Sequence, residues 1–322
     1  MRTLRAAALL VSLAACGGTT PTGPTADKAC TDQAMADCAR LGACIKNGVE
    51  TRYGSTAVCI TRMHDNCVLG LGATGTGNTP TSVEACATAI PGASCGDFVA
   101  SNITACQPTP GTLALAAPCT YNAQCATAFC NIVKGTNCGT CSAPSMADDS
   151  CATSGCSRLM TCVSSTMKCE PTGALGSSCD SGHTCGYQLS CVTPAGAASG
   201  TCQPAGTTAG TTCDNKRVTA PGCDGDSQLS CIAATKTCTL ETLAGAGQAC
   251  GFVAGAEVVC TSASSCWGAM GTTPGSCLAL AMEGQPCDTA NGPACMLPGR
   301  CVTASATVTS GTCTLPAPAS CK

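Results

Sequence analysis

The stretch that decides the fold runs from Cys179 to Cys202 and reads CDSGHTCGYQLSCVTPAGAASGTC. Cysteines stand at 179, 185, 191 and 202, and the only large apolar side chains between them are Tyr187, Leu189 and Val192. Ordering each residue costs about 1.5 kcal/mol of chain entropy, which three such side chains do not offset. A disulfide across a loop of this size contributes about 3 kcal/mol by restricting the unfolded chain. The unit therefore depends on its cysteines, on hairpin hydrogen bonds and on its neighbours. Four cysteines allow three pairings, and spacing does not choose among them; the working expectation is first to third and second to fourth, Cys179–Cys191 with Cys185–Cys202.

Variants of this unit begin at Cys119, Cys151, Cys179, Cys213, Cys250 and Cys287. Steps of 32, 28, 34, 37 and 37 residues mark a repeat array. From the second unit on, the third cysteine is followed by Val163, Val192, Ile232, Trp267 or Val302, and turn residues such as Ala195-Gly196 and Ser310-Gly311 precede the fourth. Each unit thus reads as a short hairpin closed near its base. Small-residue linkers such as Gly173-Ala174-Leu175-Gly176 separate the units. The first unit carries a fifth cysteine and Cys321 stands alone at the end, so the partners of Cys138, Cys141 and Cys321 stay open.

The whole chain has the same character. It holds 35 Cys in 322 residues, with 37 Gly, 18 Pro and only three Tyr, three Phe and one Trp. That is the composition of a disulfide scaffold. The net charge is −3 without a basic stripe, which argues against a nucleic-acid partner.

The segment before the array has helical punctuation. Asp27 is placed to cap a helix ending near Leu41 with Gly42 as its stop, Ser55 to cap a second reaching about Val68, and Thr81-Ser82-Val83-Glu84 to open a third as a capping box. Asp97 to Ala105 reads as a fourth. Residues 27–107 are therefore a small disulfide-linked α-helical domain, and 115–322 the tandem four-cysteine modules of short β-hairpins and loops. Facing residues of an antiparallel helix pair have nearly constant position sums, which predicts Cys44–Cys59 and Cys38–Cys67 and leaves Cys30 for 86, 95 or 106.

Arg2 and Arg5 precede the apolar run Ala6–Ala15, the layout of a secretory signal over residues 1–15. Leu13-Ala14-Ala15-Cys16 resembles a bacterial lipobox, which implies cleavage before Cys16 and a lipid anchor on its thiol. Removing Cys16 leaves an even number of cysteines to pair. Gly17, by resemblance to the usual sorting rule, implies the outer membrane or cell surface, and residues 16–26 read as a flexible tether. An exported chain keeps its disulfides.

The module spacing over roughly residues 115–315 resembles the Dickkopf N-terminal cysteine-rich region, a Gly-containing lead followed by four close cysteines. The full layout resembles the cysteine-rich lipoproteins of large-genome soil bacteria. The first resemblance implies the module shape; its family's role as an animal receptor antagonist does not carry over.

Chemistry-bearing motifs have plainer structural readings. Gly70-Leu71-Gly72-Ala73-Thr74-Gly75 matches a nucleotide fingerprint but trails a helix instead of following a strand. Gly92-Ala93-Ser94-Cys95-Gly96 matches a nucleophile elbow without a sheet behind it. His64 and His183 are the only histidines; His64 adjoins Asp65, and adjacent residues on a helix point apart. Cys138-Gly139-Thr140-Cys141 lacks the second pair that zinc sites use, and Asp224-Gly225-Asp226 reads as a turn more than as a calcium loop. No cofactor is expected. The leading function is a non-enzymatic, lipid-anchored surface protein with a structural or adhesive role, or a receptor for an extracellular protein or polysaccharide. A protease inhibitor or other enzyme-directed module is the alternative, and metal binding by thiolates the second.

Overall fold

The computed structural model describes residues 23–152, 155–157, 159–163, 166–180, 184–317 and 321. The lipobox, with Cys16, lies outside the described residues, as does His183.

The helical domain is built on α1 (Ala26–Cys44), α2 (Gly48–Tyr53), α3 (Thr56–Leu71), α4 (Pro80–Ala89) and α5 (Cys95–Val99). Thr25, not Asp27, caps α1, its hydroxyl accepting from the Lys28 amide. The capping box of α4 is Thr79 with Ser82, two residues earlier than expected. Ser55 caps α3 through the Val58 amide. Gly42 does not stop α1, which runs on to Cys44.

α1 buries Ala29, Cys30, Ala34, Cys38 and Leu41, a stripe of mostly small side chains at helical spacing. Small residues let α3 approach closely, and two disulfides staple the pair: Cys30–Cys67 and Cys38–Cys59. The expected Cys38–Cys67 and Cys44–Cys59 pairs are not formed. The antiparallel logic holds, but the register differs, and helix geometry gives the reason. Residues eight apart differ by roughly 80° around a helix, and residues six apart by roughly 240°. Cys30 and Cys38 therefore face α3 together, as Cys59 and Cys67 face α1, whereas Cys44 points elsewhere and bonds Cys95 at the start of α5. Cys86–Cys106 ties α4 to the segment beyond α5.

Six modules follow, and one disulfide pattern recurs in all of them. Leaving out Cys138, the extra cysteine of the first module, the first cysteine bonds the third and the second bonds the fourth: 119–130 and 125–141, 151–162 and 156–169, 179–191 and 185–202, 213–231 and 223–238, 250–266 and 260–277, 287–301 and 295–313. The third and fourth cysteines are direct cross-strand partners in each hairpin, as in Cys191↔Cys202 and Cys301↔Cys313. In the third module the strands are Ser178–Cys179, Leu189–Val192 and Gly200–Pro204, with the last in the middle. Gly200 faces Cys179 across this sheet, and a Cβ there would lie 2.2 Å from the Val192 carbonyl oxygen. Gly139, Gly275 and Gly311 hold the equivalent place in three other modules. A side chain at this position would push the strands apart. Six residues before the first cysteine, a lead residue such as Gly173 makes a parallel bridge to the second cysteine, Cys185. The fifth module extends this lead into a strand, Thr242–Ala244, in a five-stranded sheet.

The modules do not trail away from the helices. They fold back around them, each of five touching a successive part of the helical domain through hydrogen bonds. The first receives the Gly77 amide on the Ala123 carbonyl (2.7 Å) and sends Gln124 to the Thr74 carbonyl (2.9 Å). The third places Tyr187 on the Cys44 carbonyl (3.1 Å). The fourth binds the loop after α1, with Asn47 donating to Gln228 (2.7 Å) and the Lys46 amide to the Asp226 carbonyl (2.8 Å). The fifth sets the Ala263 amide on the Glu50 carbonyl (3.0 Å). The sixth receives buried Arg62 of α3, which pairs with Glu283 and donates to the carbonyls of Met296 and Leu297. The circuit then closes: Thr303 donates its amide to Gly135 (2.9 Å), Tyr121 donates to the Pro316 carbonyl (2.7 Å), and Cys321 bonds Cys138 across a sequence separation of 183.

A closed collar makes a specific prediction. Replacing both Cys138 and Cys321 by Ser should leave the individual modules folded. It should lower global stability by about 3 kcal/mol, the usual size of one disulfide's contribution. Limited proteolysis should then release the C-terminal segment first. Denaturant unfolding and mass-mapped digestion check both parts.

Candidate functional site

Where the helical domain meets the first two modules lies a cavity of about 790 Å³. One wall is the face of α1 that carries Gln33, Asp37 and Leu41, continued by Ile45 just past the helix end. The three helical residues are four apart in sequence and so lie along one side of α1. Tyr53 of α2, Met63 of α3, Ile90 beyond α4 and Phe98 of α5 continue the lining. The modules supply the opposite wall with Phe129, Pro144 and Ser157. The cavity reaches solvent past Arg52, Val99, Ser101 and Asn122, all exposed. Three of the chain's few aromatic rings, Tyr53, Phe98 and Phe129, thus converge on one space.

Asp37 is the one carboxylate of this lining among the described residues. It is only partly exposed, and burial pushes its pKa up to about 6. Desolvation disfavours the charged form, and no neighbouring cation offsets it. The Tyr53 hydroxyl is raised by burial as well, and it rests against the Met63 sulfur at 3.5 Å. Arg52, at the rim, also faces Asp226 of the fourth module.

The residues singled out from the sequence fall into other places. Cys179–Cys191 and Cys185–Cys202 are bonded as written. Cys138 bonds Cys321, and Cys141 bonds Cys125. Ser94 caps α5 and donates to Asp97 (2.6 Å), so its hydroxyl serves the helix start. The Gly70–Gly75 stretch ends α3 and receives the lead of the first module, the Thr112 amide donating to the Gly75 carbonyl at 2.8 Å. Asp224 accepts from the Asp226 amide and the Ser227 hydroxyl, which makes its segment a capped turn. His64 is a correction: its ring does reach Asp65, and also Asp27 on α1, both at 3.1 Å. Rotation about its side-chain bonds overcomes the divergence of adjacent helical positions.

Within each module the sulfur atoms cluster, as in Cys119, Cys125 and Cys130. In the structure they belong to disulfides, and a disulfide sulfur lacks the thiolate charge that binds metal. All 34 cysteines beyond Cys16 are so bonded. Among the described residues no helix is long and apolar enough to cross a membrane.

The cavity was not read from the sequence. Its one visible signal is Asp37, a carboxylate set in the line that leads to Leu41 and Ile45. No protein-family model, curated protein or solved structure matches this chain.

The raised Asp37 pKa makes stability depend on pH in a defined direction. Between about pH 4 and pH 6 the native state keeps a proton that the unfolded chain has released, so stability falls as pH rises through that window. Asp37→Asn removes the penalty. Thermal melts should show the variant a few degrees more stable than the parent at about pH 7.5 and equal to it near pH 4.

Proposed function

We propose that this chain is an exported, lipid-anchored, non-enzymatic binding protein, with the cavity between the helical domain and the first two modules as its ligand site. The observation that carries the reading is the convergence of Tyr53, Phe98 and Phe129 on a space of about 790 Å³ beside a half-buried carboxyl. A space of that size, mostly apolar with a few polar groups, is what small-molecule sites offer. In a protein this poor in large apolar side chains, Tyr53 of the helical core and Phe98 packed against that core also border this open space. The apolar run ending at Leu13-Ala14-Ala15-Cys16 supports export and anchoring, with the outer membrane or cell surface as the address. The many disulfides suit an oxidising compartment, and they hold the walls of the site in place without a large core.

Two measurements test this. The neutral dye Nile red should bind the purified protein saturably with a fluorescence increase, and Val99→Trp at the mouth should weaken that binding about tenfold or more with an unchanged melting temperature. Chain expressed in a bacterial host should be recovered with a mature N-terminus at Cys16 carrying the added mass of a lipid; a delipidated or uncleaved product would remove the anchor from the reading.

A further inference from the structure

The interior of the cavity carries a carboxyl and, among the described residues, no cation to meet it. Asp37 makes no hydrogen bond or ion pair with any other described residue, although its surroundings are apolar enough to resist its ionisation. Among the residues that line the space, the only other charged or titratable groups are Arg52 and Tyr53, both from α2. α1 adds uncharged Gln33 beside Asp37. α3, α4, α5 and the described residues of the two modules add none, their lining cysteines being disulfide-bonded. Arg52 is exposed at the rim, where its charge is hydrated. Among the described residues the inner charge balance is therefore negative or neutral.

Two features together select a ligand. An unpaired carboxylate in a sheltered space gains most from a cation that follows it out of water. Aromatic side chains in the same lining favour a cation over an anion, because ring faces carry partial negative charge. We infer that the ligand is an organic ammonium compound with an apolar body, its cationic head against Asp37 and its body among Tyr53, Phe98 and Phe129. This rests on the cavity being a binding site at all. An anionic ligand of the same shape would meet the Asp37 charge, and a neutral one would leave that charge stranded. Occupation by the cation lowers the Asp37 pKa, so binding releases protons where the free carboxyl is partly protonated and tightens as pH rises through about 6.

The test displaces Nile red from the full chain with three probes of one shape: phenylpropylamine, phenylpropanol and phenylpropionate. At about pH 7.5 the amine should displace the dye at roughly tenfold lower concentration than the alcohol, and the carboxylate should be the weakest. The amine's advantage should shrink about tenfold between pH 7.5 and pH 5, where a group titrating near 6 is mostly protonated, while the alcohol stays constant. Asp37→Asn should level the amine with the alcohol. If that variant does not fold, the pH series on the parent protein decides alone. Equal displacement by all three probes at both pH values overturns the ammonium class and leaves the cavity as a site. Absence of saturable dye binding removes the site, and the ligand class with it.

Discussion

In each module the last two cysteines of the quartet, Cys138 of the first module set aside, face one another across a hairpin, yet they are not bonded to each other. Each reaches back to an earlier cysteine, so two disulfides lie side by side under a sheet of two, three or five short strands. This arrangement does what side-chain packing does elsewhere. Cys179, Cys202, Cys213, Cys238 and Cys313 are almost wholly buried, and they are joined by very few large apolar neighbours. Four sulfurs form a compact apolar centre, while the loop closures restrict the unfolded chain. The hairpin hydrogen bonds then satisfy the backbone that such a small unit cannot hide.

Such a centre leaves almost nothing over for binding modules to one another. The helical domain supplies the missing cohesion, mostly through polar contacts. Arg62 is the most demanding of these, because a buried guanidinium needs several acceptors at once. It finds them in Glu283 and in the carbonyls of Met296 and Leu297, all on the sixth module or its lead. Met296 in turn enters the small apolar core formed by Cys38, Leu41, Val49, Tyr53 and Cys59. Tyr53 belongs to both that core and the cavity, so the packing of the helices and the shape of the site share a side chain.

Much of this was legible from spacing, and the limits have physical causes. The recurrent cysteine quartets and their turn residues announce a hairpin per module, because local closure is a short-range property. The helix pair was legible in kind but not in register: constant position sums ignore which face a cysteine occupies, and Cys38 and Cys44 stand on different faces of α1. The Cys138–Cys321 bond has no local signature, since its two ends belong to opposite ends of the array. The cavity has half a signature. Gln33, Asp37 and Leu41 lie along one line of α1, but Phe129 and Ser157 arrive from modules whose docking no periodicity encodes. Likewise Asp27 reaches His64 only because α1 lies against α3.

Open repeat proteins grow or shrink by whole units, since each unit meets only its neighbours and a terminal cap moves along with the end. This chain has no such freedom. Its last cysteine must land beside Cys138 after one circuit of the helices, and the intervening contacts with Cys44, Asn47, Glu50 and Arg62 are used in order. Duplicating or deleting one unit would miss the mark by the arc of that unit. Evolution of this architecture should therefore proceed by varying loops within a constant number of units.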